Sequence, residues 1–365
     1  EMRDPMRASF RETIFTPVLL DSLRRLNPDV PDPALQDVAR RVTDSVFAQD
    51  VVQENRRLHD LMVHGVPVTF LREGEERHAR VRLVDWGNLS NDWRAVQQFD
   101  VAGKTARIPD VVLFLNGLPL VVVELKGVEG ADVKAAWNQI DTYRNDIPDL
   151  FRTNLLTVIS DGLQARYGSV SAGFDRYMSW RTVDGETLVP KGSTLELSTL
   201  TEGLLSPGVL LDMLRWFVVF EDEGKGPIKK IAGYHQFHAV RKACDTILTA
   251  RAGDGKGGVI WHTQGSGKSL LMTFLSGRIM HHPAMENPTL LVLTDRHIAP
   301  GKLPAHASLV TGAVHHRLVE KGLRCDCNIL VETATARDPH HFAVLIGFGA
   351  TAVYPFLAYE VLGDL

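Results

Sequence analysis

The sharpest pattern of apolar and polar positions lies at residues 107–127. Two apolar, β-branched runs flank Asn116-Gly117, with Asp110 before the first and Glu124 and Lys126 closing the second. An Asn-Gly pair between such runs predicts a β-hairpin. Residues two apart on a strand share a face, so Glu124 and Lys126 point the same way. Asp110 joins them only if it lies opposite Glu124. That requires residue 115 to pair with 119, through a three-residue connection at Asn116-Gly117-Leu118 or an equivalent bulge.

Elsewhere the periodicity predicts helices within 9–26 and 34–64, broken by Asn27-Pro28-Asp29 and Pro31-Asp32-Pro33. Strand-like alternation marks 66–72, 79–86 and 97–102. Beyond the hairpin come a helix at 131–144, a strand at Leu155–Ser160, a turn at Asp161-Gly162 and a short strand through Gln164–Tyr167. These elements fit one α/β domain ending near residue 190. An amphipathic helical stretch, 198–220, is broken at Pro207, and 221–227 reads as a polar linker before a long helix opens near Tyr234. A short apolar strand, a glycine-rich loop and a helix span residues 257–274, and Leu290–Asp295 forms a further parallel strand.

Composition narrows the class. The chain has 365 residues, 44% hydrophobic and 23% charged, with a net charge of −4. That suits a globular protein of two or three domains without a global basic field, so any nucleic-acid contact must come from local patches. Three cysteines form no disulfide framework and point to a reducing cytoplasm. Cys325-Asp326-Cys327 lacks the second pair of a zinc site. No apolar run approaches the roughly 18 residues of a membrane span, and no signal peptide opens the chain, which begins abruptly inside a helical pattern. Eight of the fourteen histidines follow residue 280, three times as adjacent pairs. Adjacent side chains diverge, so these do not read as a metal centre.

Two carboxylates and an ammonium at one hairpin end suit metal-dependent phosphodiester hydrolysis. Asp110 and Glu124 would bind Mg²⁺, a hard ion preferring oxygen, and Lys126 would orient water or steady developing charge. Alone, the spacing also fits a surface hairpin with charged ends. Glu54 could add a carboxylate, though a solvated helix face is the simpler reading. On helix 131–144, Gln139 and Tyr143 stand at i and i+4, on one face. Downstream, His262-Thr-Gln-Gly265-Ser266-Gly267-Lys268-Ser269 has the strand–loop–helix setting of a phosphate loop. Backbone N–H groups from Gly265 to Gly267 would cradle the phosphates of ATP, Lys268 would reach the β/γ-phosphates and Ser269 would ligate Mg²⁺. The usual first glycine of the motif is His262.

Several ordered motifs resemble the restriction (R) subunit of type I restriction–modification enzymes from about residue 10 to 296. They include Leu26-Asn27-Pro28, Asn91-Asp92, Arg107-Ile-Pro-Asp110, Glu124-Leu-Lys126, Gln139-Ile-Asp-Thr-Tyr143, Ser160-Asp-Gly162 and Gly168-Ser169. The resemblance implies a PD-(D/E)xK nuclease with Asp110, Glu124 and Lys126 as its site and Gln139 and Tyr143 in support. It also implies an ATP-driven motor in which Gln236 recognises adenine. The partners it implies are double-stranded DNA and the modification and specificity subunits.

From about residue 300 the chain resembles instead the central domain of the glutamate synthase large subunit. The motifs are Ala313-Val-His-His316, Leu330-Val-Glu-Thr333 and His340–Ala350, and the two resemblances meet near Leu293-Thr-Asp-Arg296. No Walker B sequence follows residue 296, so the motor is expected to be incomplete and its ATPase lost. The expected architecture is α/β. A PD-(D/E)xK domain would occupy 1–195, a partial RecA-like domain 196–299 and a glutamate synthase-like fragment 300–365. The other functions considered are a non-catalytic DNA- or subunit-binding fragment and a glutamate synthase-related protein.

Overall fold

The computed structural model describes residues 6–47, 49–127, 132–190, 196–222, 224, 226–252, 267–285, 289–296, 301, 303–324 and 327–361. The protein is mixed α/β and divides into two compact units, residues 1–235 and 236–365.

In the first unit, three helices open the chain: α1 (Thr16–Leu26), α2 (Asp32–Thr43) and α3 (Val51–His64). The predicted helical run 34–64 is therefore two helices. The chain leaves helix at Asp44, and the Asp50 side chain caps α3 by accepting from the N–H groups of Val52 and Gln53. β1 (Val66–Arg72) and β2 (Glu75–Val81) form a separate antiparallel hairpin.

The central sheet orders β3 (Trp93–Gln97), β4 (Val111–Leu115), β5 (Leu118–Leu125), β6 (Leu156–Ser160) and β7 (Ala165–Gly168). Only β5 and β6 run parallel, and α4 (Val133–Asp146) connects them across one face. β5 is buried from Leu118 to Glu124 because the sheet is covered on both sides. Where the pattern predicts a strand at 97–102, β3 ends at Gln97 and Val101 makes only an isolated bridge to Arg107. Phe114 of β4 stacks on Phe15 at 4.3 Å and meets Phe99 edge-on at 5.2 Å. Each such ring buried contributes about 2 kcal/mol.

The β4–β5 turn has two residues, with Leu115 opposite Leu118. Asn116 and Gly117 both take positive φ, 52° and 82°, as the tight hairpin turn demands. A register shift between Leu113 and Phe114 inserts one extra residue in β5, so that Val111 faces Val123. The bulge, not a longer turn, places Asp110 opposite Glu124.

Asparagines of the sequence motifs lock this frame. Asn116 is fully buried and donates to Leu83 O and Asn91 Oδ1, while its Oδ1 accepts from Asp92 N–H. Asn27 bridges α1 to Arg82 in the same manner.

α5 (Glu196–Gly203), α6 (Pro207–Trp216), β8 (Val218–Asp222) and β9 (Pro227–Ile231) complete the unit. Pro207 starts α6, as its missing N–H allows. The segment read as a linker is the turn of an antiparallel β8–β9 hairpin. Alternate positions of β9, Lys229 and Ile231, bury one side of that hairpin, while Ile228 is exposed. The hairpin belongs with the first unit, where Lys229 Nζ donates to Asn55 Oδ1 of α3 and to Asn154 O. The compact unit thus extends past the boundary expected at residue 195.

α7 (Tyr234–Ala252) leads into the second unit. There α8 (Lys268–Met280) precedes a parallel sheet of β10 (Thr289–Thr294), β11 (Cys327–Glu332) and β12 (Ala352–Tyr354). α9 (Ala307–Glu320) and α10 (Pro339–Gly347) pack on this sheet around Ile329, Val331 and Leu345, and α11 (Phe356–Val361) follows. β10 is parallel, as predicted, and its described partner is β11.

Candidate nuclease site

Glu124 is the last buried residue of β5, 2% exposed. Its Oε1 accepts from Lys126 Nζ at 2.6 Å and its Oε2 from the Tyr143 hydroxyl at 3.0 Å. Burial pushes the Glu124 carboxyl above its ordinary range, and the charge of Asp110 pushes the same way against the pull of Lys126 and Tyr143. Asp110 sits across the hairpin, where Oδ2 accepts from Leu125 N–H at 2.8 Å and Oδ1 from Gln98 Nε2 at 3.1 Å. Asp110 is thus fixed by a backbone and an amide donor, and Glu124 by an ammonium and a phenol.

α4 presents Tyr143 to this site because Val133, Ala136, Ile140 and Tyr143 form its buried stripe. Gln139, one turn earlier, lies near the same phenol and pulls its pKa down, against burial and Glu124. Burial and the Glu124 charge raise the Tyr143 hydroxyl far above its ordinary value, so it stays protonated and donates. The structure therefore brings Asp110, Glu124, Lys126, Gln139 and Tyr143 together.

Glu54 does not occupy a solvated helix face. It is 1% exposed, bonded to Arg57 Nη2 at 2.6 Å and Arg152 Nη2 at 3.1 Å, and it accepts from the N–H groups of Val46 and Phe47. These bonds outweigh its desolvation and hold its pKa down to about 2. The signal was present as Asn55-Arg56-Arg57, but its partner Arg152 lies 98 residues away.

The oxygen set suits a hard divalent cation. Each of the four carboxylate oxygens accepts a single donor, leaving lone pairs free, and the mutual repulsion of Asp110 and Glu124 favours a cation between them. Among the described residues no cluster of three His, Cys, Asp or Glu forms a metal site. Further ligands at this pair would be water, carbonyl or phosphate oxygens, as Mg²⁺ accepts.

In the second unit, Gly265 and Ser266 of the phosphate-loop motif lie outside the described residues. Gly267 takes φ +73° and caps α8, Lys268 opens that helix and Ser269 follows, exposed. Gln236 is buried, and its Nε2 donates to Gly267 O at 2.9 Å, tying it to the loop's end.

Comparison with known proteins matches this division. Residues 1–176 match the family described as type I restriction enzyme R protein N terminus, 235–306 the SWI2/SNF2 ATPase family, and 279–365 the glutamate synthase central domain. The type I restriction enzyme HindI endonuclease subunit of Haemophilus influenzae is 42% identical over 311 residues, 81% of this chain and 29% of that protein. The chain's N-terminal portion resembles a type I restriction R subunit. A putative type I restriction enzyme MjaIXP endonuclease subunit of Methanocaldococcus jannaschii is 30% identical over 317 residues, 80% of this chain and 30% of that protein. The C-terminal portion resembles the glutamate synthase central domain. The ferredoxin-dependent glutamate synthase of Pyropia yezoensis is 46% identical over 78 residues, 21% of this chain and 5% of that protein. The R-subunit-like chain thus spans about three tenths of the restriction relatives' length. The glutamate synthase match begins at 279, before the expected residue 300, and overlaps the ATPase match through 306.

Proposed function

We propose that the first unit is a Mg²⁺-dependent DNA endonuclease and that the chain acts as the restriction subunit of a type I system. The carrying observation is Glu124. It is a buried carboxylate with a raised pKa, set opposite Asp110 by the bulge in β5 and gripped by Lys126 and Tyr143. Asp110 and Glu124 would hold Mg²⁺, which when bound supplies Lewis-acid stabilisation of a phosphate and an acidified water. Lys126 Nζ, 2.6 Å from Glu124, orients the nucleophile's side of the site and steadies charge developing on phosphorus. Tyr143 holds the Glu124 rotamer, with Gln139 one turn before it on α4. The PD-(D/E)xK fold assignment belongs to this proposal, as do double-stranded DNA and the modification and specificity subunits as partners.

For the second unit we propose ATP binding through residues 265–269 and Gln236, with Ser269 on Mg²⁺, but no productive hydrolysis. The described strand beside β10 is β11, which lies in the glutamate synthase-like region and ends in Val331-Glu332, followed by Thr333, instead of a Walker B sequence. That replacement also favours a second reading, a non-catalytic subunit- or DNA-binding product. Assembly with modification and specificity subunits, then assay on supercoiled plasmid, separates the two. The proposal predicts Mg²⁺-dependent nicking without DNA-stimulated ATPase, whereas the second reading predicts DNA retention with no nicking.

A further inference from the structure

The register of the central sheet continues the nuclease row across two more strands. Val111 pairs with Val123, which sets Asp110 opposite Glu124; Glu124 pairs with Ile159, and Ile159 with Arg166. Paired residues in a sheet project to the same side. Asp110, Glu124, Ile159 and Arg166 therefore form one row on the face that α4 covers, where Ile159 packs with Tyr143 and Ile140. Neighbouring strands lie about 4.8 Å apart, so the backbone at Arg166 stands ~10 Å from that at Glu124.

Arg166 stands on β7 with a side-chain amide and an aromatic ring as its partners. Its Nη2 donates to Gln164 Oε1 at 2.7 Å, and its guanidinium lies 5.5 Å from the centre of the Phe174 ring. The ammonium of Lys134, from the first turn of α4, approaches the same ring at 6.0 Å. Trp137 meets Phe174 edge-on at 6.1 Å. No carboxylate is paired with Arg166 or Lys134 among the described residues. The acids beside them on the chain and in space accept from backbone: Asp132 from Ala135 N–H, Asp161 from the N–H groups of Leu163 and Gln164, and Glu196 from Ala165 N–H. Two cations braced on one aromatic ring, with most of their donors unspent, form a local basic patch in a chain of net charge −4.

We infer that Arg166 and Lys134 clamp the phosphodiester backbone of the cleaved DNA strand, within a few phosphates of the scissile bond. The patch complements a polyanion, and it shares a sheet row with the carboxylates that would hold the metal. Arg166 is then a positioning residue: it touches a flanking phosphate and sets where the strand crosses Glu124. This inference rests on the nuclease reading above.

The test uses the chain assembled with its modification and specificity subunits, comparing wild type, Arg166→Gln, Arg166→Lys, Lys134→Gln and Glu124→Gln. Binding to a labelled duplex is measured across a salt series, and nicking of supercoiled plasmid across DNA concentration. For Arg166→Gln we expect about tenfold weaker duplex binding at low salt, and a plot of log affinity against log salt shallower by ~0.9 for the lost phosphate contact. Its KM for plasmid should rise more than its kcat falls. Arg166→Lys should restore the slope, and Lys134→Gln, at an exposed site, should lower it independently. An unchanged slope in both charge-removing variants overturns the clamp. So does loss of subunit assembly with the slope intact, which would make the patch a protein contact. Failure of the nuclease reading looks different: wild type and Glu124→Gln would nick equally or not at all, while the salt slopes still decide the clamp.

Discussion

Each unit places a glutamate at or just before the end of an apolar strand, and the two residues meet different fates. On β5, seven consecutive residues are buried, Glu124 last, and it faces the like charge of Asp110. On β11, buried and half-buried residues alternate, and Glu332 accepts from Thr294 Oγ1 at 2.7 Å and pairs with Arg296 at 2.9 Å. Arg296 in turn lies over Tyr354 and Phe356. Glu332 is thereby spent on closing the end of its own sheet. The comparison teaches that a glutamate at the end of an apolar strand stays available to a cation only where its neighbours leave charge uncompensated. That requires a covered sheet and a register that sets a second carboxylate opposite.

The largest effect that should separate the two regions lies at their glycines. A Cβ on Gly117 would stand 2.6 Å from Phe15 O and 2.9 Å from Leu19 N, at φ +82°, whereas one on Gly322 would meet open space. Gly117→Ala should cost about 4 kcal/mol, combining left-handed strain with a backbone clash, and Gly322→Ala only about 1 kcal/mol, both read by urea unfolding. Next, Glu54→Gln leaves Arg152 buried without its anion and should destabilise the first unit by about 3 kcal/mol. Because the folded pKa of Glu54 lies near 2, below its ordinary 4.5, its contribution is complete above pH 4.5. It is lost as pH falls toward 2, a loss the variant should not show.

A more gradual effect comes from Lys229 and His59. Burial holds Lys229 at about 7 against an ordinary 10.5, and lowers His59 well below its ordinary value. The unfolded chain therefore binds more protons over this range, and the first unit's stability should rise with pH through neutrality and up to about 10. Lys229→Met should flatten that rise between pH 7 and 10. The smallest expected change is in Tyr143→Phe, which removes one donor from Glu124. Nicking should slow about tenfold, and the ascending limb of its pH profile should move to higher pH, since Glu124 then becomes harder to ionise.

Legibility in the sequence followed the range of the interactions. The 107–127 hairpin was readable because its turn and alternation are local, and the need for Asp110 to oppose Glu124 was deducible from a period of two. The means was not: whether the turn lengthens or β5 bulges depends on the docking of Gly117 against α1, where Phe15 N–H donates to Gly117 O. Glu54 departs from the solvated helix face its local pattern predicts because Arg152 reaches it from across the fold. The β8–β9 hairpin was hidden by a polar turn that resembles a linker, while its anchor, Lys229 on Asn55, spans 174 residues. The row from Glu124 to Arg166 needs strand order, which no local pattern contains.

The most direct test of the central claim is nicking of supercoiled plasmid by the chain assembled with modification and specificity subunits, with Mg²⁺ or with EDTA, comparing wild type and Glu124→Gln. The glutamine keeps the shape and the bond to Tyr143 while removing the charge that would hold the metal. We predict nicking by wild type only with Mg²⁺, reduced at least about a hundredfold in the variant. Equal nicking by wild type and Glu124→Gln, or wild-type nicking that persists in EDTA, would contradict the account.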